Sequence, residues 1–170
     1  QARQASQALG GNLKSTLKAA LQKGGPMKGL EVCHLEAQTL TAKTSANQGI
    51  SVGRTGLRVR NPLNAPDDWE RDQLEAFKVA AANGHAISAL EVLEQVVIDR
   101  SPDETERVWR YLKAIPTDGV CLACHGSNLD PTLSAAIEEK YPKDQAVGIA
   151  LGDLRGAFSI TIPVTSDAFD

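Results

Sequence analysis

The sequence predicts an α+β fold built as one domain over residues 1–170. Two observations predict it. Helical periodicity fills the first part of the chain. Alternating, β-branched stretches follow, joined by turn residues as in antiparallel hairpins, with shorter helices between them. Long helices first and strands later is the order of an α+β domain. A chain of 170 residues is also long enough to bury a core of its own.

The elements can be justified in order. Ala2, Ala5, Leu9, Leu13, Leu17 and Leu21 recur at helical steps and place an amphipathic helix over Ala2 to Gln22. Gly10 and Gly11 weaken its middle. Gly24-Gly25-Pro26 stops it, and Pro26 suits the first turn of a second helix that runs to Ala46 and ends at Asn47-Gln48-Gly49. Met27, Leu30, Cys33, Ala37 and Leu40 share one side of that second helix. At about 100° per residue the stripe is centred between Cys33 and His34, nearer to Cys33, so either side chain could face inward. A free Cys in such a place is ordinarily a small buried hydrophobe.

Ile50 to Arg60 alternates loosely and reads as a strand, with Leu57 and Val59 on one side and Arg54, Arg58 and Arg60 at polar positions. Arg60-Asn61-Pro62-Leu63-Asn64-Ala65-Pro66 cannot be a regular element, because two prolines fix the backbone and the asparagines suit turns. A helix is expected over Pro66 to Ala82, with Asp67, Asp68 and Glu70 in its first turn and Leu74, Phe77 and Ala81 inward. Asn83-Gly84 ends it, and His85 falls in a connection. Leu90 to Ile98 and Val108 to Ile115 read as an antiparallel hairpin turned at Arg100-Ser101-Pro102-Asp103, with Trp109 and Tyr111 on one side. Asp130-Pro131 opens a short helix carrying Leu133, Ala136 and Ile137, which Tyr141-Pro142 closes. Gly148 to Gly156 is an irregular glycine-rich loop without a phosphate-binding pattern. Ala157 to Val164 alternates as a half-buried strand.

Composition excludes some functions. Hydrophobic residues make up 42% and charged residues 23%, which is ordinary for a globular domain. The net charge is −3 and no basic run occurs, so nucleic acid is not an expected partner. No apolar run is long enough to span a membrane.

The chemistry sits in Cys121-Leu122-Ala123-Cys124-His125. C-x-x-C-H is the attachment signature of c-type haem. Two thiols three positions apart can each form a thioether to one vinyl group, and the next residue then lies under the ring as an iron ligand. A zinc site would want a second pair of ligands at a fixed spacing. Upstream there are only Cys33 and His34, side by side. A redox C-x-x-C has no need of the following His. One covalent haem c is therefore the expected cofactor, on Cys121, Cys124 and His125. It would also help to fill an interior whose aromatic content is only 4%. Covalent attachment is an extracytoplasmic process in bacteria. The chain thus reads as a periplasmic or otherwise exported mature form whose signal has been removed, or as an input domain cut from a longer membrane protein.

Several stretches carry a resemblance. They are Val32-Cys33, Arg54-Thr55, the run from Arg60 to Pro66, Cys121 to Gly126, Tyr141-Pro142-Lys143-Asp144, and Gly152 to Ser159. In that order they resemble the PAS-like single-haem c-type cytochrome domains, long catalogued as a domain of unknown function. The resemblance implies a central antiparallel sheet flanked by helices. It also implies an axial pair made of the motif His and a Cys of the second helix, here His125 and Cys33. His34, next to Cys33, is a ready competitor and keeps a bis-histidine site open; His85 is a more distant rival. Arg60 and Asn61 are expected close to the haem or bracing the loop beside it, where an Arg could pair with a propionate, or else Asn61 and Pro62 only shape a turn.

The functional expectation follows from the site and not from the fold. A metal-bound Cys is a thiolate, and an anionic ligand favours Fe(III) and a low potential. Reduction weakens that bond, and a proton or a small gas such as CO or NO can displace the thiolate. The first expectation is a redox or diatomic-gas sensing domain. The second is a low-potential electron-transfer cytochrome with a redox partner protein. A haem enzyme ranks behind both, because the sequence offers no clear distal acid–base pair.

Overall fold

In the computed structural model, which describes residues 1–101 and 103–164, the elements follow one another as α1 (Ala2–Leu35), α2 (Ala37–Gln48), β1 (Ser51–Thr55), α3 (Asp68–Ala82), β2 (Glu91–Ser101), β3 (Glu104–Pro116), α4 (Leu122–His125), α5 (Pro131–Lys140) and β4 (Leu154–Pro163). The strands form one antiparallel sheet in the order β1-β4-β3-β2. The α+β class expected from the sequence is the class observed.

Strand alternation assigns each side chain to a face. Ile160 of β4 lies in register with Val52 of β1 and Tyr111 of β3. These three meet Ala5 and Leu9 near the start of α1. Ala157, Leu112 and Ala114 point the other way and meet Leu74 and Phe77 of α3. The sheet is thus held between α1 and α3. Leu9, Leu74, Leu112 and Ile160 are fully buried, each burial stabilising by roughly 1.5–3 kcal/mol.

Charge fixes α3 on its face. Asp67 and Glu70 form a capping box at its start. The same two carboxylates bind Arg110 of β3, at 2.7 Å from Asp67 Oδ2 and 3.2 Å from Glu70 Oε1. Ser159 Oγ donates to Glu70 Oε1 at 2.5 Å, and the Arg110 guanidinium lies 4.4 Å from the centre of the Trp69 ring.

The expected break at Gly24-Gly25-Pro26 is present as two non-helical residues inside α1, with φ of −158° at Gly24 and +64° at Gly25. The second helical run is interrupted again at Glu36, which no residue in the sequence marks, before α2 continues to Gln48. Gly10 is not merely a weak point. A Cβ there would lie 2.9 Å from the Phe158 ring, so its absence lets α1 settle onto the sheet.

Three boundaries move. The first strand ends at Thr55 and not at Arg60. Beyond Thr55 the backbones of Gly56 and Gly156 approach so closely that a Cβ on Gly156, whose φ is +150°, would meet Thr55 O at 2.3 Å. The chain then leaves the sheet, and Val59 O accepts from Gln145 N at 3.0 Å. The hairpin strands run further than expected, to Ser101 and from Glu104; of its turn, Pro102 lies outside the described residues. Within the irregular run after Arg60, residues Pro62–Asn64 form one 3-10 turn.

Candidate cofactor site at Cys121, Cys124 and His125

A 3-10 turn at Gly119–Cys121 passes into α4, so the motif occupies barely two turns of helix. Cys121 and Cys124 are free thiols, both partly exposed. Burial pushes the Cys124 thiol above its ordinary pKa.

The His125 ring is held at both nitrogens. Nδ1 lies 2.6 Å from Ala146 O, and Nε2 lies 3.3 Å from Arg155 Nη2. A carbonyl cannot donate and a guanidinium cannot accept, so Nδ1–H donates to Ala146 and Nε2 accepts from Arg155. Burial, with Arg155 and Arg60 nearby, lowers the imidazole pKa to about 3. The ring is neutral near pH 7 and presents the Nε2 lone pair. A backbone carbonyl on the other nitrogen is the ordinary way to orient a ligand imidazole.

The segment 144–149 lies against the motif. Gly148 N donates to Gly126 O at 3.2 Å, and Ile149 N donates to His125 O at 2.9 Å. Two arginines from the run after β1 secure it. Arg58 donates to the carbonyls of Gln145, at 2.9 Å, and Val147. Arg60 Nε meets Asp144 Oδ2 at 2.9 Å, and both side chains are less than a tenth exposed, 9% and 8%. Arg60 Nη2 donates to Cys124 O at 2.7 Å and reaches Ala146 O at 3.4 Å. Asp144 Oδ1 accepts from Ala146 N at 2.8 Å. The Arg60–Asp144 pair therefore grips both the motif and the peptide that orients His125. Asn61 acts next door: its Oδ1 accepts from Leu63 N at 3.0 Å and caps the 3-10 turn.

Cys33 lies on the second half of α1, which packs through Leu30 against Leu133, Ile137 and Tyr141 around α5. Solvent reaches the Cys33 thiol, yet desolvation raises its pKa while Arg54, Arg60 and Arg155 act to lower it. Cys33 is thus an exposed residue whose thiol lies within the electrostatic reach of all three arginines. His34 is engaged elsewhere, with Nδ1 3.0 Å from Tyr141 Oη and the two rings edge-on. His85 is exposed at the end of α3, with Nδ1 3.1 Å from Ala80 O. It lines a separate hollow of about 750 Å³ that includes Arg155 but none of Cys121, Cys124 and His125. Among the described residues, no three His, Cys, Asp or Glu side chains are grouped to hold a metal ion by themselves.

Sequence reasoning assigned no role to Arg54, Asp144, Ala146 or Arg155. Arg54, Asp144 and Arg155 fall within the stretches that carry the resemblance, which was the available signal. Arg54 is in register with Phe158 and makes no side-chain hydrogen bond or ion pair among the described residues. Burial lowers its pKa. Burial, Arg60 and Arg54 bring Arg155 down to about 10.

Fold and site together define a class: an antiparallel α+β domain with a C-x-x-C-H motif set among arginines. The chain belongs to the Tll0287-like family, whose model matches residues 1–163. Among solved structures it is similar to the crystal structure of the cyanobacterial haem protein Tll0287, at 27% identity over 98% of this chain and 92% of that chain, with a TM-score of 0.63. No curated protein matches it.

Proposed function

We propose that this chain binds one haem covalently, as haem c, and serves as a redox- or gas-responsive domain. Thioethers would form at Cys121 and Cys124, with His125 and Cys33 as the two iron ligands. The observation that carries this reading is the state of His125, a neutral ring anchored through Nδ1–H to Ala146 O, whose Nε2 lone pair is met by only a long 3.3 Å contact from Arg155 that a metal would displace. The rest of the donor set fits haem. Two thiols at the right spacing match two vinyl groups, a third thiol lies within reach of the same arginines, and Arg54 and Arg155 have no carboxylate partner among the described residues. The similarity to a haem protein favours haem over another cofactor.

Cys33 is preferred to His34 as second ligand because the charges around the motif act on Cys33, while His34 is committed to Tyr141. As a thiolate, Cys33 would offset the positive charge of the ferric iron in a low-dielectric pocket. Bound haem would supply a one-electron Fe(III)/Fe(II) couple and an affinity for diatomic gases. The residues supply the bias. Arg60 and Asp144 hold the His125 side with a buried ion pair, whereas Cys33 has no such pair beside it among the described residues, so Cys33 would be the ligand more easily released if the iron were reduced. Covalent haem also places the working protein outside the cytoplasm.

The test is to express the chain in a host that matures c-type cytochromes and to measure its mass after denaturation. One retained haem is expected. Haem that extracts into acidified acetone would contradict covalent attachment, and a chain without haem would overturn the reading.

A further inference from the structure

We infer that Arg54 and Arg155, and not Arg60, form the carboxylate-binding pair of this site, holding the two propionates of the haem. The inference rests on the haem reading above and adds which side chains receive the anionic edge.

Three guanidinium groups, those of Arg54, Arg60 and Arg155, surround the motif, and each acts electrostatically on His125. One carboxylate answers them, and it is spent: Asp144 Oδ2 faces Arg60 Nε at 2.9 Å and Asp144 Oδ1 holds Ala146 N. Arg60 is further occupied by the Cys124 carbonyl at 2.7 Å. That geometry makes it a clamp on the loop, with its charge met by Asp144 and both Nε and Nη2 committed to the protein.

The other two cations differ. Arg54 has no hydrogen-bond or ion-pair partner among the described residues. Arg155 has only long contacts, 3.4 Å to Arg58 O and 3.3 Å to the His125 nitrogen that faces the hollow. Two like charges, partly withdrawn from water and with Arg54 acting against Arg155, are costly unless anions meet them.

Charge counting then selects the ligand. With Asp144 set against Arg60, the hollow keeps two uncompensated positive charges. A ferric porphyrin core carries one positive charge, which a Cys33 thiolate cancels. Two ionised propionates match the remaining two arginines. Guanidinium and carboxylate are also matched in shape, with paired N–H donors meeting two oxygens.

The experiment uses the full haem-loaded chain, with the haem carboxyl carbons labelled by ¹³C. Their ionisation is followed by NMR against pH in the ferric state for the parent, Arg54→Gln and Arg155→Gln. In the parent, both carboxyls should ionise at least one unit below the ordinary carboxylate value of about 4.3. Each Gln variant should raise at least one of them by about a unit or more, and Arg54→Lys and Arg155→Lys should restore most of the shift. Parent carboxyls that ionise at or above the ordinary value would overturn the inference, and this needs no variant to fold. So would Gln variants that titrate as the parent does. In both cases haem is still attached and the haem reading stands; a parent chain without haem would instead remove that reading and this inference together.

Discussion

Asp144→Ala removes the carboxylate that ties Arg60 to the loop behind His125. Two contacts go, Arg60 Nε to Oδ2 at 2.9 Å and Ala146 N to Oδ1 at 2.8 Å. Both ion-pair side chains are less than a tenth exposed, so the guanidinium left behind is a buried cation with only carbonyl partners. Breaking a buried pair from one side costs about 3–5 kcal/mol. For a chain of this size each kcal/mol moves Tm by about 2–4 °C, so Tm should fall by about 6–20 °C. Urea unfolding of the haem-loaded protein, followed by circular dichroism, measures the loss. Arg60→Ala and the double substitution complete the cycle, and the coupling should be about 2 kcal/mol or more. The variant should also alter the haem spectrum, because Asp144 holds the peptide whose carbonyl orients His125. A loss under about 1 kcal/mol, or single effects that simply add, would refute the clamp.

Three further outcomes follow from the fold. Gly11 faces open space, so Gly11→Ala should stabilise by about 0.5–1 kcal/mol through helix propensity. Gly10→Ala should lose that gain and destabilise, because its Cβ would lie 2.9 Å from the Phe158 ring; urea midpoints compare the two. Glu91 is held at about 2, first by the hydrogen bond from Arg3 and then by that from Tyr111. Between its ordinary value of 4.5 and about 2 the unfolded chain binds the extra proton, so stability rises with pH across that window and this contribution is lost as pH falls through it. Glu91→Gln should flatten that part of the acid-unfolding curve.

What the sequence made legible was local. The break at Gly24-Gly25-Pro26, the start of α3 at Asp67 and the antiparallel hairpin are written in residues that act on their own backbone. The end of β1 is not, because it is set by Gly156, a hundred positions downstream, pressing on Thr55. The three arginines show the limit best. Arg54, Arg58 and Arg60 look alike in an alternating run, and only tertiary contacts separate them: Arg58 binds carbonyls, Arg60 pairs with Asp144, and Arg54 has no side-chain partner among the described residues. Asn61 caps the 3-10 turn that follows it, in keeping with the turn-shaping alternative. In the same way a helical wheel could not separate Cys33 from His34, because the difference lies in Tyr141, which meets His34 from α5.

The most direct test of the site is the absorption and electron paramagnetic resonance spectrum of the ferric protein with Cys33→Ala and, separately, His34→Ala. The account predicts a low-spin thiolate signature in the parent that survives His34→Ala, is lost in Cys33→Ala, and gives way there to a higher potential. A ferric spectrum that Cys33→Ala leaves intact and His34→Ala changes would make the iron bis-histidine and contradict the account.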